Sequence, residues 1–256
     1  LEQARAWMKE QSIDVHIVTS LDDIAWYLNM RGNDIPCYPV VLSYLIIEAT
    51  KAQLFVDETK LDDTLRKQFA HDRVEIKPYD SVYEAVAQIR EGLCVALDKS
   101  IVNYRLVHAL AQGVHIKDSK NPSQLWKSIK NETELKNNRL AHIKDGVAVT
   151  KFMYWLKKNI KDNKDITEAS AAAVLEDLRR EQEHFIEISF DTIAAYQANA
   201  AMMHYHGDEE HCAKLEPKGF LLVDSGGQYM EGTTDITRTF VLGEISEQMR
   251  HHFTAV

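Results

Sequence analysis

Apolar positions along the chain change period repeatedly, and the changes predict its elements. Leu1, Ala4, Trp7 and Met8 form a helical stripe over Leu1 to Lys9, and Ile13 to Thr19 alternates as a half-buried strand. Leu21 to Met30 predicts a short helix, and Arg31-Gly32-Asn33-Asp34 with Pro36 and Pro39 predicts the loop after it. Val40 to Ile47 and Ala52 to Val56 predict two strands, and Thr59 to Phe69 an amphipathic helix capped by Asp57 or Thr59. A weak strand at Val74 to Pro78 precedes a helix from Ser81 to Glu91, in which Ser81 and Glu84 have capping-box spacing. Leu93 to Leu97 then reads as strand, Tyr104 to Gln112 as helix and Val114 to Ile116 as a short strand. This alternation predicts an α/β domain around a mixed sheet over residues 1–122. Asp22, Asp23, Arg31 and Asp34 read as a solvated face or loop that shapes the domain and its contact with the half that follows. The domain has no glycine-rich phosphate loop, and no nucleotide is assigned to it.

Asn121-Pro122-Ser123 marks a boundary, with a second domain over residues 123–256. A long helix is predicted from Thr133 to Ile160, with Leu135, Leu140, Ile143, Val147, Val149, Phe152 and Leu156 apolar. Lys157 to Asp165 reads as a solvated connector, and Ile166 to Gln182 as a second helix with Thr167 a candidate cap. Phe185 to Phe190 begins the strands. Phe220 to Val223 is an apolar run ending in Asp224. Ser225-Gly226-Gly227 is the expected turn, and after the punctuation at Glu231-Gly232 comes Asp235 to Leu242, the returning strand of an antiparallel hairpin. Ser246 caps a final helix carrying Met249, Phe253 and Val256. Two long helices followed by strands make the second domain α+β.

Composition narrows the class. With 256 residues, 45% of them hydrophobic, the chain can bury a sizeable core. A net charge of −9 argues against nucleic acid or an anionic membrane as the main partner. The apolar run Val40 to Ile47 is too short to span a bilayer, and no signal peptide is visible in Leu1 to Arg5. Cys37, Cys94 and Cys212, odd in number and widely spaced, read as reduced thiols of a cytoplasmic protein.

The candidate chemistry lies in the second domain. In a hairpin, Asp224 and Asp235 converge at one end, and such paired carboxylates suit hard divalent cations. Thr237, two residues after Asp235, shares its strand face and is placed to orient a ligand. On spacing alone, two aspartates flanking a glycine-rich turn read first as turn formers. His204 and His206 form an H-x-H pair that on a strand would present both rings to one face, suiting a metal or a proton relay. They also read as a surface pair beside Asp208-Glu209-Glu210.

A longer stretch of text carries a resemblance. DSGGQYMEGTTDITRT, from Asp224 to Thr239, resembles the first metal-binding hairpin of the aminopeptidase P branch of the pita-bread metallopeptidases. KNETELKNNRLAHIKDGVAV resembles the opening helix of that family's catalytic domain. TSLDDIAWYLNMRGNDI with PVVLSYLII resembles the creatinase-like, non-catalytic second domain of the three-domain members. His204 in NAAMMHY matches the histidine of the family's NGAxxHY segment, with an alanine where many relatives carry glycine; His206 and His211 have no matching position.

The resemblance implies a creatinase-like α/β domain followed by the first part of a pita-bread domain. It also implies Asp224 and Asp235 as metal ligands, His204 as a catalytic group and two divalent ions, with Mn²⁺ expected. The implied reaction is attack of a metal-bridging hydroxide on the Xaa-Pro bond of peptides with proline second, in a protein that dimerises when intact. The family's site also needs a histidine and two glutamates that come later than Val256, so the 256 residues alone are expected not to catalyse. Two other readings stay open: a prolidase cleaving Xaa-Pro dipeptides, or a metal-free creatinase-like module that binds peptides or scaffolds. The second-domain text around Ala25-Trp26 and Arg31-Gly32 favours the aminopeptidase over the prolidase, and retention of Asp224, Asp235 and His204 argues against the module.

Overall fold

A computed structural model describes residues 1–162 and 165–256. It divides into two compact units, Leu1–Ile129 and Lys130–Val256.

The first unit runs α1 (Glu2–Glu10), β1 (Val15–Val18), α2 (Leu21–Leu28), β2 (Ser43–Glu48), β3 (Ala52–Val56), α3 (Asp63–His71) and β4 (Val74–Pro78). It continues through α4 (Val82–Ala87), β5 (Cys94–Leu97), α5 (Tyr104–Ala109), β6 (His115–Asp118) and α6 (Ser123–Ser128). The strands form one mixed sheet in the order β4-β3-β2-β1-β5-β6. β2 runs antiparallel to both β1 and β3, while the outer pairings are parallel. Successive residues of the central strands feed two different cores. Leu45 and Ile47 pack with Ala4, Met8 and Phe69, whereas Ile46 packs with Val82, Val86 and Leu106. A sheet covered on both faces needs strands that are apolar throughout, and all four residues of β1 are buried.

Three expectations change here. The predicted helix from Thr59 is broken in two: a 3-10 turn over Glu58–Lys60, capped by Asp57, precedes α3, capped by Asp62. Both aspartates accept a backbone N–H two or three residues ahead, which starts a new turn at each. Ser81 does not cap its helix, because its hydroxyl donates to Pro78 O at 2.7 Å inside a 3-10 turn. Asp23 is not on a solvated face. It is fully buried and accepts from Ser20 Oγ, Asn121 Nδ2 and Lys127 Nζ. Burial opposes its ionisation, but those donors hold the carboxyl below its ordinary range. The same bonds tie Asn121 and α6 to α2.

The second unit opens with α7 (Glu132–Lys161) and α8 (Glu168–Arg180). The strands β7 (Phe185–Ile188), β8 (Ile193–Tyr196), β9 (Phe220–Ser225), β10 (Gly227–Tyr229), β11 (Gly232–Thr233) and β12 (Ile236–Val241) follow, and α9 (Glu247–Ala255) closes the unit. Capping boxes fix both long helices, Asn131 with Glu134 and Thr167 with Ser170. α7 continues helical through the start of the expected connector, whose Asn163 and Lys164 lie outside the described residues. Two antiparallel sheets, β12-β9-β8 and β11-β10-β7, complete the unit. Phe152 and Leu156 of α7 and Leu175 of α8 pack on Leu221, Val223 and Phe240. One face of β12-β9-β8 is thereby sealed by helices.

Candidate metal centre

The opposite face of β9 carries Asp224. Leu221, Val223 and Ser225 are buried, while Leu222 and Asp224 alternate to the other side and are half-buried. Antiparallel pairing sets Thr237 of β12 directly opposite Asp224, and the Thr237 hydroxyl donates to Asp224 Oδ1 at 2.7 Å. Asp235 lies immediately before β12, two residues ahead of Thr237. Asp235 and Thr237 are exposed. Asp224 and Thr237 therefore share one open face, and Asp235 adjoins it at the start of β12. This oxygen donor set fits divalent metal. Among the described residues no cluster of three or more His, Cys, Asp and Glu side chains is placed to hold an ion.

The expected turn at Ser225-Gly226-Gly227 is not one. The chain passes from β9 into β10, and the reversal lies at Met230-Glu231. Gly226 is required by close approach: a Cβ there would stand 2.0 Å from Thr234 O and 2.2 Å from Ser189 Oγ. The ascending and descending chains thus cross against one another beside both aspartates. The crossing is braced from beneath. Arg179 of α8 and Asp145 of α7, both fully buried, pair through two bonds of 2.6 and 3.1 Å. Arg179 also donates to Ser225 Oγ at 3.0 Å, and the Tyr229 hydroxyl donates to Asp145 Oδ1 at 2.9 Å. Burial and the neighbouring Asp145 push the Tyr229 phenol up, so it remains a donor. Farther out, Glu231 accepts from Lys144 Nζ and His184 Nδ1, each at 2.7 Å, which pins the tip of the hairpin. Lys144 is the main reason the Glu231 carboxyl falls to about 2.

His204 and His206 do not lie on a strand. They follow a 3-10 turn over Gln197–Ala201, in a segment without regular structure, and both are exposed. The segment is short of apolar alternation, and its one buried residue between 202 and 206 is Tyr205. His204 has a left-handed backbone, φ 57°. His211 pairs with Asp208 on the surface at 2.8 Å. Beneath the segment lies the buried carboxylate of Glu168, which accepts from the Tyr205 hydroxyl at 2.8 Å.

Asp145, Arg179 and Glu168 escaped the sequence reading. A signal existed for Asp145. The stripe that faces the core on α7 is Ala141, Asp145, Ala148 and Phe152, whereas the bulkier Ile143 and Val147 are exposed. A single acid at helical spacing among small residues is compatible with a buried pair as well as with a surface.

Residues 1–134 match the creatinase/prolidase N-terminal domain, and residues 136–256 match metallopeptidase family M24. The chain belongs to the creatinase/prolidase family, with an M24 pita-bread region as its second half. Among its relatives is Xaa-Pro aminopeptidase 1 of Dictyostelium discoideum, 41% identical over 262 residues, covering 100% of this chain and 41% of that one. A probable Xaa-Pro aminopeptidase P of Paracoccidioides brasiliensis (strain Pb03) is 38% identical, covering 94% of this chain and 41% of the relative. The chain thus spans less than half the length of these curated relatives. In structure it is similar to the X-prolyl aminopeptidase of Caenorhabditis elegans, described as a cytosolic enzyme with a di-nuclear active site. That match has a TM-score of 0.89 at 32% identity over 96% of this chain and 41% of the other. The prolidase of Pyrococcus horikoshii OT3 shares the fold, with a TM-score of 0.72 at 22% identity over 99% of this chain and 67% of the other.

Proposed function

We propose that the whole protein is a metal-dependent Xaa-Pro aminopeptidase that removes the N-terminal residue from peptides with proline second. The observation that carries this reading is the Thr237 hydroxyl bonded to Asp224 across β9 and β12, with Asp235 immediately before β12. The Dictyostelium relative's name and the di-nuclear site of the C. elegans enzyme support it.

In this reading Asp224 and Asp235 hold two divalent ions together with ligands from outside these residues, and Mn²⁺ suits their oxygen donors. Bound there, the ions lower the pKa of water and supply a nucleophile near neutral pH. The chain's own residues prepare that site. Thr237 occupies one lone pair of Asp224 Oδ1 and fixes the carboxylate's rotation, so the remaining oxygen meets its ligand without reorganising. Arg179 and Tyr229 hold the backbone on either side of Gly226, and so the spacing of the two acids. His204 orients the substrate at the scissile bond through its ring N–H. The first unit is non-catalytic in this account. By analogy with the C. elegans enzyme the protein works in the cytosol, and dimerisation is part of the same proposal.

The test is substrate class. Purified whole protein, loaded with Mn²⁺, is given Xaa-Pro-Xaa tripeptides, the matching Xaa-Ala-Xaa tripeptides and Xaa-Pro dipeptides. Release of the first residue from the Xaa-Pro tripeptides, well above both controls, is expected. Cleavage confined to the dipeptides would replace the proposal with a prolidase, and inactivity of metal-loaded, folded protein on all three would replace it with a binding module.

A further inference from the structure

We propose that Glu168 is a positioning residue that sets the placement of His204; the proposal rests on the reading of His204 as a substrate-orienting group. Glu168 opens α8, is only 1% exposed, and gathers donors from both sides of His204 in sequence. Its Oε1 accepts from the Tyr196 N–H at 2.5 Å and from Asn199 Nδ2 at 3.0 Å. Its Oε2 accepts from the Tyr205 hydroxyl at 2.8 Å, the Ala213 N–H at 2.7 Å and Asn199 Nδ2 at 3.2 Å. Asn199 also donates to the Tyr205 hydroxyl at 3.1 Å, which closes the network. The whole excursion from the end of β8 to Ala213 is thus drawn onto one carboxylate.

Only one bond separates His204 from that network. Met202, Met203, His204 and His206 are exposed, while Tyr205 is buried, so Tyr205 is the anchor and the imidazole is displayed beside it. The left-handed backbone of His204 is costly for a residue with a side chain and persists where neighbours over-determine it. Packing on the far side is equally tight: a Cβ at Gly207 would stand 2.8 Å from the Tyr205 hydroxyl oxygen. Every contact Glu168 makes is with a donor, as a charged carboxylate at a helix N-terminus requires. Glutamine has the same size but must turn an NH₂ toward either the Tyr196 or the Ala213 N–H. The exchange therefore loosens the network without changing its volume.

The experiment is a double-mutant cycle in the whole, metal-loaded protein: Glu168→Gln, His204→Ala and the pair, with Tyr205→Phe as a milder variant. kcat and KM for an Xaa-Pro tripeptide are read alongside metal stoichiometry. Misplacing an orienting group by about 1 Å costs up to about a hundredfold. Glu168→Gln is therefore expected to lower kcat/KM by about ten- to a hundredfold with the metal retained, and Tyr205→Phe to act in the same direction. In the His204→Ala background neither change should lower kcat/KM by more than about twofold, since the group they position is gone. Full multiplication of the effects, or unchanged kcat/KM in Tyr205→Phe while His204→Ala is impaired, overturns the positioning role. If Glu168→Gln does not fold, the Tyr205→Phe cycle decides alone. Unchanged activity in His204→Ala overturns the reading of His204 beneath it, a separate failure.

Discussion

His16 and Glu231 are held by their surroundings in opposite charge states, and the consequences fall in different pH windows. The His16 ring is buried between β1 and its neighbours, 3.4 Å from Ala96 O through Nδ1 and edge-on to Trp7. Burial lowers its pKa from 6.5 to about 4. Between those values the unfolded chain binds the proton and the folded chain does not, so stability falls as the pH drops from 6.5 through 4. His16→Phe should flatten that part of a plot of thermal midpoint against pH, and an unchanged slope would contradict the assignment. Glu231 is depressed from 4.5 to about 2 by Lys144 and His184. Its contribution is present above 4.5 and is lost as the pH falls toward 2. Glu231→Gln should remove the acid limb in that lower window only, measured by the same melts. At this scale sequence was a partial guide. Thr237 was placed by counting two residues from Asp235, because strand alternation is a rule of covalent geometry. Glu168 was invisible, because the donors that make it a hub come from residues up to Ala213.

Elements were legible where the period was regular. The lengths of α7 and α8 follow from their apolar spacing and their caps. What spacing could not reveal was which face of α7 turns inward, since Ile143 and Val147 advertise the wrong side. The inward face, which also buries Phe152 and Leu156, carries Asp145, whose partner Arg179 lies on another helix. Breaking that pair should be severe. Arg179→Met leaves a buried, unpaired carboxylate and is expected to cost about 3–5 kcal/mol in denaturant unfolding, whereas Arg179→Met with Asp145→Leu should recover much of the loss. Equal losses in the single and double variants would mean that packing, not charge, holds the crossing. The glycines at 226 and 227 misled for a related reason. Glycine permits a turn, but at 226 it serves to let two chains touch, and only the fold distinguishes the uses.

Over the whole molecule, text and fold agree on a creatinase-like first half and an M24 second half, because a motif as long as Asp224 to Thr239 specifies both its register and its chemistry. The segment bearing His204 was the exception: its H-x-H spacing suggested a strand, and a carboxylate beneath it imposes an irregular path instead. Because the described residues bring two acids and no third ligand to the hairpin face, the 256 residues alone should bind Mn²⁺ weakly and leave Xaa-Pro tripeptides uncleaved. Isothermal titration of this chain with Mn²⁺ checks the first point, and a submicromolar dissociation constant would contradict it.

The account turns on Asp224 and Asp235 as metal ligands, and the most direct measurement counts divalent ions per whole protein by elemental mass spectrometry in native, Asp224→Asn and Asp235→Asn forms. The account predicts about two ions in the native protein, clearly fewer in each variant, and a parallel loss of Xaa-Pro cleavage of at least about a hundredfold. Full metal content and full activity in both variants would contradict it.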